Sequence, residues 1–148
     1  MNPIRSSIAA AIAIAALALS PSSVAADDTK VAVPQKERVV IQVSDNDPKK
    51  WHLALNNARN VQVDLGADKT EIEIVAYGPG IGMLKADAET ANRVEDAVAA
   101  GVRVVACENT MKAQKLSRDD MNGKVGYVMA GVVQIMRRQQ QGWAYLRP

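Results

Sequence analysis

RVVIQVSDNDPKKW, Arg38 to Trp51, is the stretch on which the fold turns. Val39, Val40, Ile41 and Val43 form a β-branched run of strand length, closed by the turn formers Ser44, Asp45 and Asn46. Asp47 then stands before Pro48, an acceptor side chain suited to capping a helix followed by proline at the first helical position, where its missing N–H costs nothing. Trp51, Leu55, Ala58, Val61 and Leu65 recur at helical spacing, and Gly66 ends the pattern. A strand that runs straight into an amphipathic helix is the first half of a βαβ unit.

Downstream the unit repeats. Thr70 to Tyr77, TEIEIVAY, alternates apolar and acidic residues before turning apolar, which predicts a second strand entering a sheet. It ends in the glycine-rich GPGIG of Gly78 to Gly82. Asp87 is placed to cap a second helix with a buried stripe of Ala91, Val94, Ala97 and Val98, and Gly101 lies just past its end. Val102 to Ala106, VRVVA, reads as a third strand with Cys107 at its C-terminal end, and Asn109 can cap a short helix running to Leu116. After a turn at Ser117 to Asp120, Lys124 to Met129 predicts a fourth strand, Ala130 to about Gln141 a fourth helix, and Trp143 to Leu146 a closing edge strand. This alternation predicts an α/β domain over residues 37–148, a three-layer α/β/α sandwich around a mainly parallel sheet of about five strands. Phenylalanine is absent, so Val, Ile, Leu, Ala and Met must build the core.

Upstream, residues 1–26 have the layout of a secretory signal peptide: Arg5, a small-apolar run from Ile8 to Leu19, a Pro-Ser break, and small residues ending at Ala25 or Ala26. The apolar stretch is shorter than the roughly 20 residues that span a bilayer. The expectation is a periplasmic or secreted protein with no membrane attachment after cleavage. Residues 27–36, polar and interrupted by Pro34, read as a flexible lead-in. Of 148 residues, loss of 26 leaves 122, and the 18 basic residues less Arg5 leave 17 against 16 acidic ones. That is one domain of nearly neutral charge, without the basic block that nucleic acid or anionic lipid would require.

Cys107 is the single cysteine, so no internal disulfide can form. One cysteine and one distant histidine, His52, do not make a metal-ligand cluster, and neither metal nor other cofactor is expected. In an open α/β sheet the ligand crevice lies outside the carboxyl ends of the strands, and Cys107 stands at such an end, just before a helix. Helix N-terminal N–H groups there lower a thiol's pKa and raise its nucleophilicity. A buried, inert cysteine is the competing reading, opposed by the polar residues Glu108, Asn109 and Thr110 that follow. Gly78, Gly80 and Gly82 can turn N–H groups toward the same pocket, or simply shape its wall as a turn. His52, early in the first helix, reads as a surface or packing residue. Arg137 and Arg138 read as a solvated helix face or subunit contact and not as a substrate clamp. Trp143 and Tyr145 share one side of a strand, for core packing or an oligomer interface.

Three segments carry a family resemblance: RVVIQVSDNDPKKWHLALNNARNV, VACENTMKAQKLSRDDM and YVMAGVVQIMRRQQQGWAYLRP. In their order and combination they resemble the DsrE/DsrF-like family, which includes sulfur-relay subunits. The resemblance implies an α/β/α sandwich that assembles into homo-oligomers, trimers or hexamers. It also implies a cysteine at a central strand end that accepts sulfane sulfur as a persulfide and passes it to a partner thiol protein. The matching position is Cys107, with Asn109, Thr110 and the Gly78–Gly82 loop around it as substrate-binding candidates. Against this stands a non-catalytic reading, a small-ligand-binding or oligomeric assembly module in which Cys107 only packs. A redox sensor closing an intermolecular disulfide is a third.

Overall fold

The computed structural model describes residues 35–148. The signal peptide expected over 1–26 and nearly all of the lead-in lie outside the described residues. Strand β1 (Glu37–Val43) passes through a short turn into α1 (Pro48–Leu65), and the Asp47 carboxylate accepts the Lys49 N–H at 2.9 Å. The predicted cap and N1 proline are therefore both in use. β2 (Thr70–Ala76), α2 (Ala91–Ala99), β3 (Arg103–Cys107), α3 (Glu108–Ala113), β4 (Gly126–Val128), α4 (Gly131–Gln140) and β5 (Ala144–Leu146) follow.

The five strands stand in the order β4-β3-β2-β1-β5, and every pairing is parallel. From β1 to β4 the chain steps across the sheet in one direction. α4 then carries it back past three strands to set β5 beside β1. Parallel crossovers are right-handed, so reversing the direction of travel moves the connecting helix to the opposite face. α1, α2 and α3 accordingly cover one face and α4 the other, which gives the expected α/β/α sandwich.

Successive strand residues point to opposite faces, which divides the core in two. On the first face Val39, Ile41, Val43, Ile72, Ile74 and Val104 pack against Trp51 and Leu55 of α1, with Val94 of α2, Met111 of α3 and the Ile81–Leu84 segment. On the second face Val40, Val75 and Val105 meet Ile135 of α4, flanked by Tyr77, Val128 and Trp143. One ten-residue helix covers this second face, so its edges stay open, and Met129, Val132 and Met136 are exposed there.

Four local expectations are corrected. Asp87 does not cap α2, which begins only at Ala91, because the preceding segment is committed elsewhere. The Thr90 hydroxyl donates to Met83 O at 2.8 Å, and Ala86 N–H donates to Asp120 O at 3.0 Å. Cys107, not Asn109, occupies the cap position of α3, since Asn109 N–H donates to Met129 O across the β4–α4 link. The fourth strand shrinks to three residues, because Asn122 closes a turn onto Val125 N–H. Arg138 does not belong to a solvated face. It bonds the buried Glu73 and stacks on Trp143, its guanidinium 4.3 Å from the ring centre.

Candidate functional site around Cys107

Cys107 closes β3 and lies on the second face, where the first residue of α4 meets it. Gly131 N–H donates to the Cys107 sulfur at 3.2 Å. Such an approach needs a helix start without a side chain, because a Cβ on Gly131 would stand 2.9 Å from Tyr77 Cβ. The Met129 carbonyl lies 3.8 Å from the sulfur, a long contact that a protonated thiol can use as acceptor.

The sulfur therefore sits among donors. Burial by itself pushes the thiol pKa up. The Thr110 hydroxyl and the backbone N–H groups of Gly131, Thr110 and Asn109 outweigh it, and Cys107 falls below the ordinary thiol range. Thr110 is oriented for this role, because its Oγ1 accepts the Gly78 N–H at 2.9 Å and leaves its own proton to donate. Gln114 fixes the other side of that glycine, donating from Nε2 to Gly78 O at 3.1 Å. The chain Gly78, Thr110, Cys107 links the glycine-rich segment to the thiol through hydrogen bonds alone.

Only part of the expected constellation meets. Gly78, Thr110 and the Asn109 backbone gather at Cys107, whereas the Asn109 side chain is exposed. The GPGIG segment forms a 3₁₀ run, Gly78–Leu84, and its remaining glycines serve packing. Gly80 N–H donates to Ser44 O and Tyr77 O, and its α-carbon rests on the backbone at the end of β1. Gly82 faces the Trp51 indole. Gly131 was not singled out from the sequence; a glycine opening a helix directly after a strand was the available signal.

Cys107 is 4% exposed, roofed by the Met129–Gly131 link between β4 and α4. Beside that link runs a groove of about 320 Å³, lined by Val128, Met129, Ala130, Val133, Gln134 and Arg137. Met129, at its mouth, is 68% exposed.

His52 takes no part. It lies on the first face, where Arg93 Nη1 approaches its Nδ1 at 2.6 Å and Glu89 Oε1 approaches its Nε2 at 3.0 Å. A guanidinium can only donate, so Nδ1 accepts from Arg93 and Nε2 faces Glu89. Nearby, α1 and α2 flank a groove of about 340 Å³ with Leu55, Ala58 and Val102 as floor and Arg59, Arg93 and Asp96 at its rim.

The chain matches the DsrE/DsrF-like family over residues 4–148. Among solved structures it is similar to MTH1491, a protein of unknown function from Methanobacterium thermoautotrophicum. The two share 39% identity with a TM-score of 0.73, over 76% of this chain and all (100%) of that one. BT1422 of Bacteroides thetaiotaomicron, a conserved protein of unknown function, shares the fold at 12% identity and a TM-score of 0.63, covering 76% of this chain and 95% of its own. The ychN protein from E. coli does so at 12% identity and 0.61, covering 77% and 99%. No match is found among curated proteins. With a five-stranded parallel α/β sheet and a family match along nearly its whole length, this chain belongs to the DsrE/DsrF-like family.

Proposed function

We propose that this protein is exported and carries sulfane sulfur as a persulfide on Cys107, taking it from a small or protein-bound donor and passing it to a partner thiol. The observation that carries the reading is the 3.2 Å approach of Gly131 N–H to the sulfur, with Thr110 beside it. These donors stabilise negative charge on the Cys107 thiolate, the species that attacks in loading and leaves in delivery.

In the loading step the Cys107 thiolate attacks the outer sulfur of a donor persulfide, R–S–SH. The donor S–S bond breaks, a new S–S bond forms to Cys107, and R–S⁻ leaves with the electron pair. Delivery is the same exchange in reverse, with an acceptor thiolate attacking the outer sulfur and the Cys107 thiolate leaving. No net oxidant enters. A low thiol pKa helps the second step, because a more acidic thiol leaves faster.

A homo-oligomer is part of the same reading. Val132 and Met136 leave an apolar surface on the open face beside α4, the kind of surface that subunit contacts cover. Sedimentation then gives a mass that is a multiple of the protomer.

The test is intact mass after exposure to a persulfide donor. The wild type gains one sulfur atom and Cys107→Ser gains none. A wild type that gains nothing from persulfide or thiosulfonate donors overturns the proposal. The groove between α1 and α2 favours a second reading, a small-ligand-binding module in which Cys107 only packs. Slow, pH-independent alkylation of Cys107 in the folded protein supports that alternative. Export is read separately, from periplasmic recovery of a chain starting after Ala25 or Ala26.

A further inference from the structure

Glu73 is the one charged side chain of the core among the described residues, 0% exposed in the middle of β2 on the face that α4 covers. Gln134 Nε2 donates to its Oε1 at 2.7 Å, Arg138 Nε bonds its Oε2, and Arg103 Nε stands 3.5 Å from Oε1. One carboxylate thus hydrogen-bonds Arg138 and draws the more exposed Arg103 as an ion pair. Arg138 Nη1 reaches the Gln141 amide oxygen at 3.2 Å. Above them lies a cleft of about 280 Å³, lined by Arg103, Gln134, Arg137, Arg138 and Gln141. No acidic side chain lines it, and Arg137 has no acidic partner within 4 Å among the described residues. Three guanidinium groups over one buried carboxylate leave an excess of two positive charges, and of the three Arg138 is held in place by Glu73 and by the Trp143 ring.

The cleft adjoins the groove beside the Met129–Gly131 link, with Gln134 and Arg137 lining both. α4 runs from Gly131 at the sulfur to Arg137 at the cleft, six residues or about 9 Å of helix rise. We propose that the cleft binds the anionic end of a small thiol or persulfide compound, a carboxylate held by Arg137 and Arg103, while its sulfur extends along the groove toward Cys107. A compound of about three residues spans this separation, at 3.3–3.6 Å per extended residue. This assignment rests on the sulfur-carrier reading and names its substrate class as low-molecular-weight anionic thiols. Arg137 and Arg103 are binding residues in it, and Glu73 is a positioning residue.

The experiment is calorimetric titration of the full folded protein at low ionic strength with reduced glutathione and, separately, with sulfate as a probe of the anion end alone. Both are expected to bind the wild type and Cys107→Ser alike, since the cleft does not include the thiol. Arg137→Gln and Arg103→Gln are each expected to weaken both ligands at least tenfold, and Lys49→Gln, an equal loss of charge on α1, to leave them unchanged. Absence of binding, or equal weakening by Lys49→Gln, overturns the proposal and leaves the arginines serving only Glu73 and the C-terminal end of α4. Sulfate binding without glutathione binding also overturns the assignment of a thiol compound. Sulfur gain by intact mass reads Cys107 independently, so failure of the cleft and failure of the carrier reading are told apart.

Discussion

Gly131 N–H points at the Cys107 sulfur from 3.2 Å, joining the start of one helix to the end of a strand 24 residues earlier. The contact ties the electronic state of the thiol to the position of α4. An alanine at 131 would bring a Cβ to 2.9 Å from Tyr77 Cβ, which forces the helix start away from the sheet. Gly131→Ala is therefore expected to raise the Cys107 pKa and to slow its alkylation near neutral pH several-fold, while the rate at high pH, where every thiol is ionised, changes less. The rate of iodoacetamide reaction against pH reads both; an unshifted profile in a folded variant would show that the helix start contributes nothing.

Thr110 makes a separable contribution. Its hydroxyl receives Gly78 N–H and gives a proton to the sulfur, so Thr110→Val removes a thiolate donor and strands a backbone donor together. The expected result is a raised Cys107 pKa with a loss of stability of about 1–3 kcal/mol, the cost of leaving such a group unpaired. Thr110→Ser keeps the hydroxyl and should restore most of both. Urea unfolding beside the alkylation profile checks the pair.

Gly80 is required by space. A Cβ there would lie 2.5 Å from Val43 O and 2.8 Å from Ser44 N, and backbone at a strand end does not step aside as a flexible side chain would. Gly80→Ala should cost roughly 1–3 kcal/mol as an overpacked site. Gly123→Ala, with nothing within 4 Å, is the matched control and should change the urea midpoint little.

The fold was legible in the sequence wherever its signals were local. Asp47-Pro48 capped α1 because cap, proline and apolar spacing all lie within one stretch, and Cys107 fell at a strand end because VRVVA is bounded by its own pattern. What failed depended on partners far along the chain. Asp87 lost the cap role because Thr90 and Ala86 were already bonded to Met83 and Asp120. Glu73 sits in an alternating strand beside the exposed Glu71 and looks identical to it; only α4, more than sixty residues on, turns one of the two into a buried ion. Arg138 is hidden with it, because an arginine pair on a helix shows no sign of which member faces inward.

Asp120 gives a pH test that is independent of the thiol. Its carboxylate accepts Ser117 N–H and the Ser117 hydroxyl, both at 2.7 Å, and these bonds hold its pKa below the ordinary aspartate value. A depressed carboxylate pKa contributes stability that is full above the unfolded pKa, near 3.9, and is lost as pH falls through the folded value. Asp120→Asn should accordingly lower the urea midpoint at neutral pH and converge with the wild type in acid. A difference that persists unchanged below pH 3 would place the effect in the amide itself and not in the lost charge.

Glu73 and Arg138 allow the sharpest separation of packing from charge. The carboxylate is fully buried, so removing its guanidinium partner leaves an ion without enough solvation, at a cost of about 3–5 kcal/mol. Arg138→Leu should be that severe, eased only as far as Arg103, 3.5 Å away, can draw closer. Replacing both members, Glu73→Leu with Arg138→Leu, removes the ion along with its partner, and the double variant should be more stable than Arg138→Leu alone. Chemical denaturation of the wild type, the two single variants and the double variant closes the cycle. Additive losses would mean that Arg138 supports the fold through its stacking on Trp143 and not through Glu73.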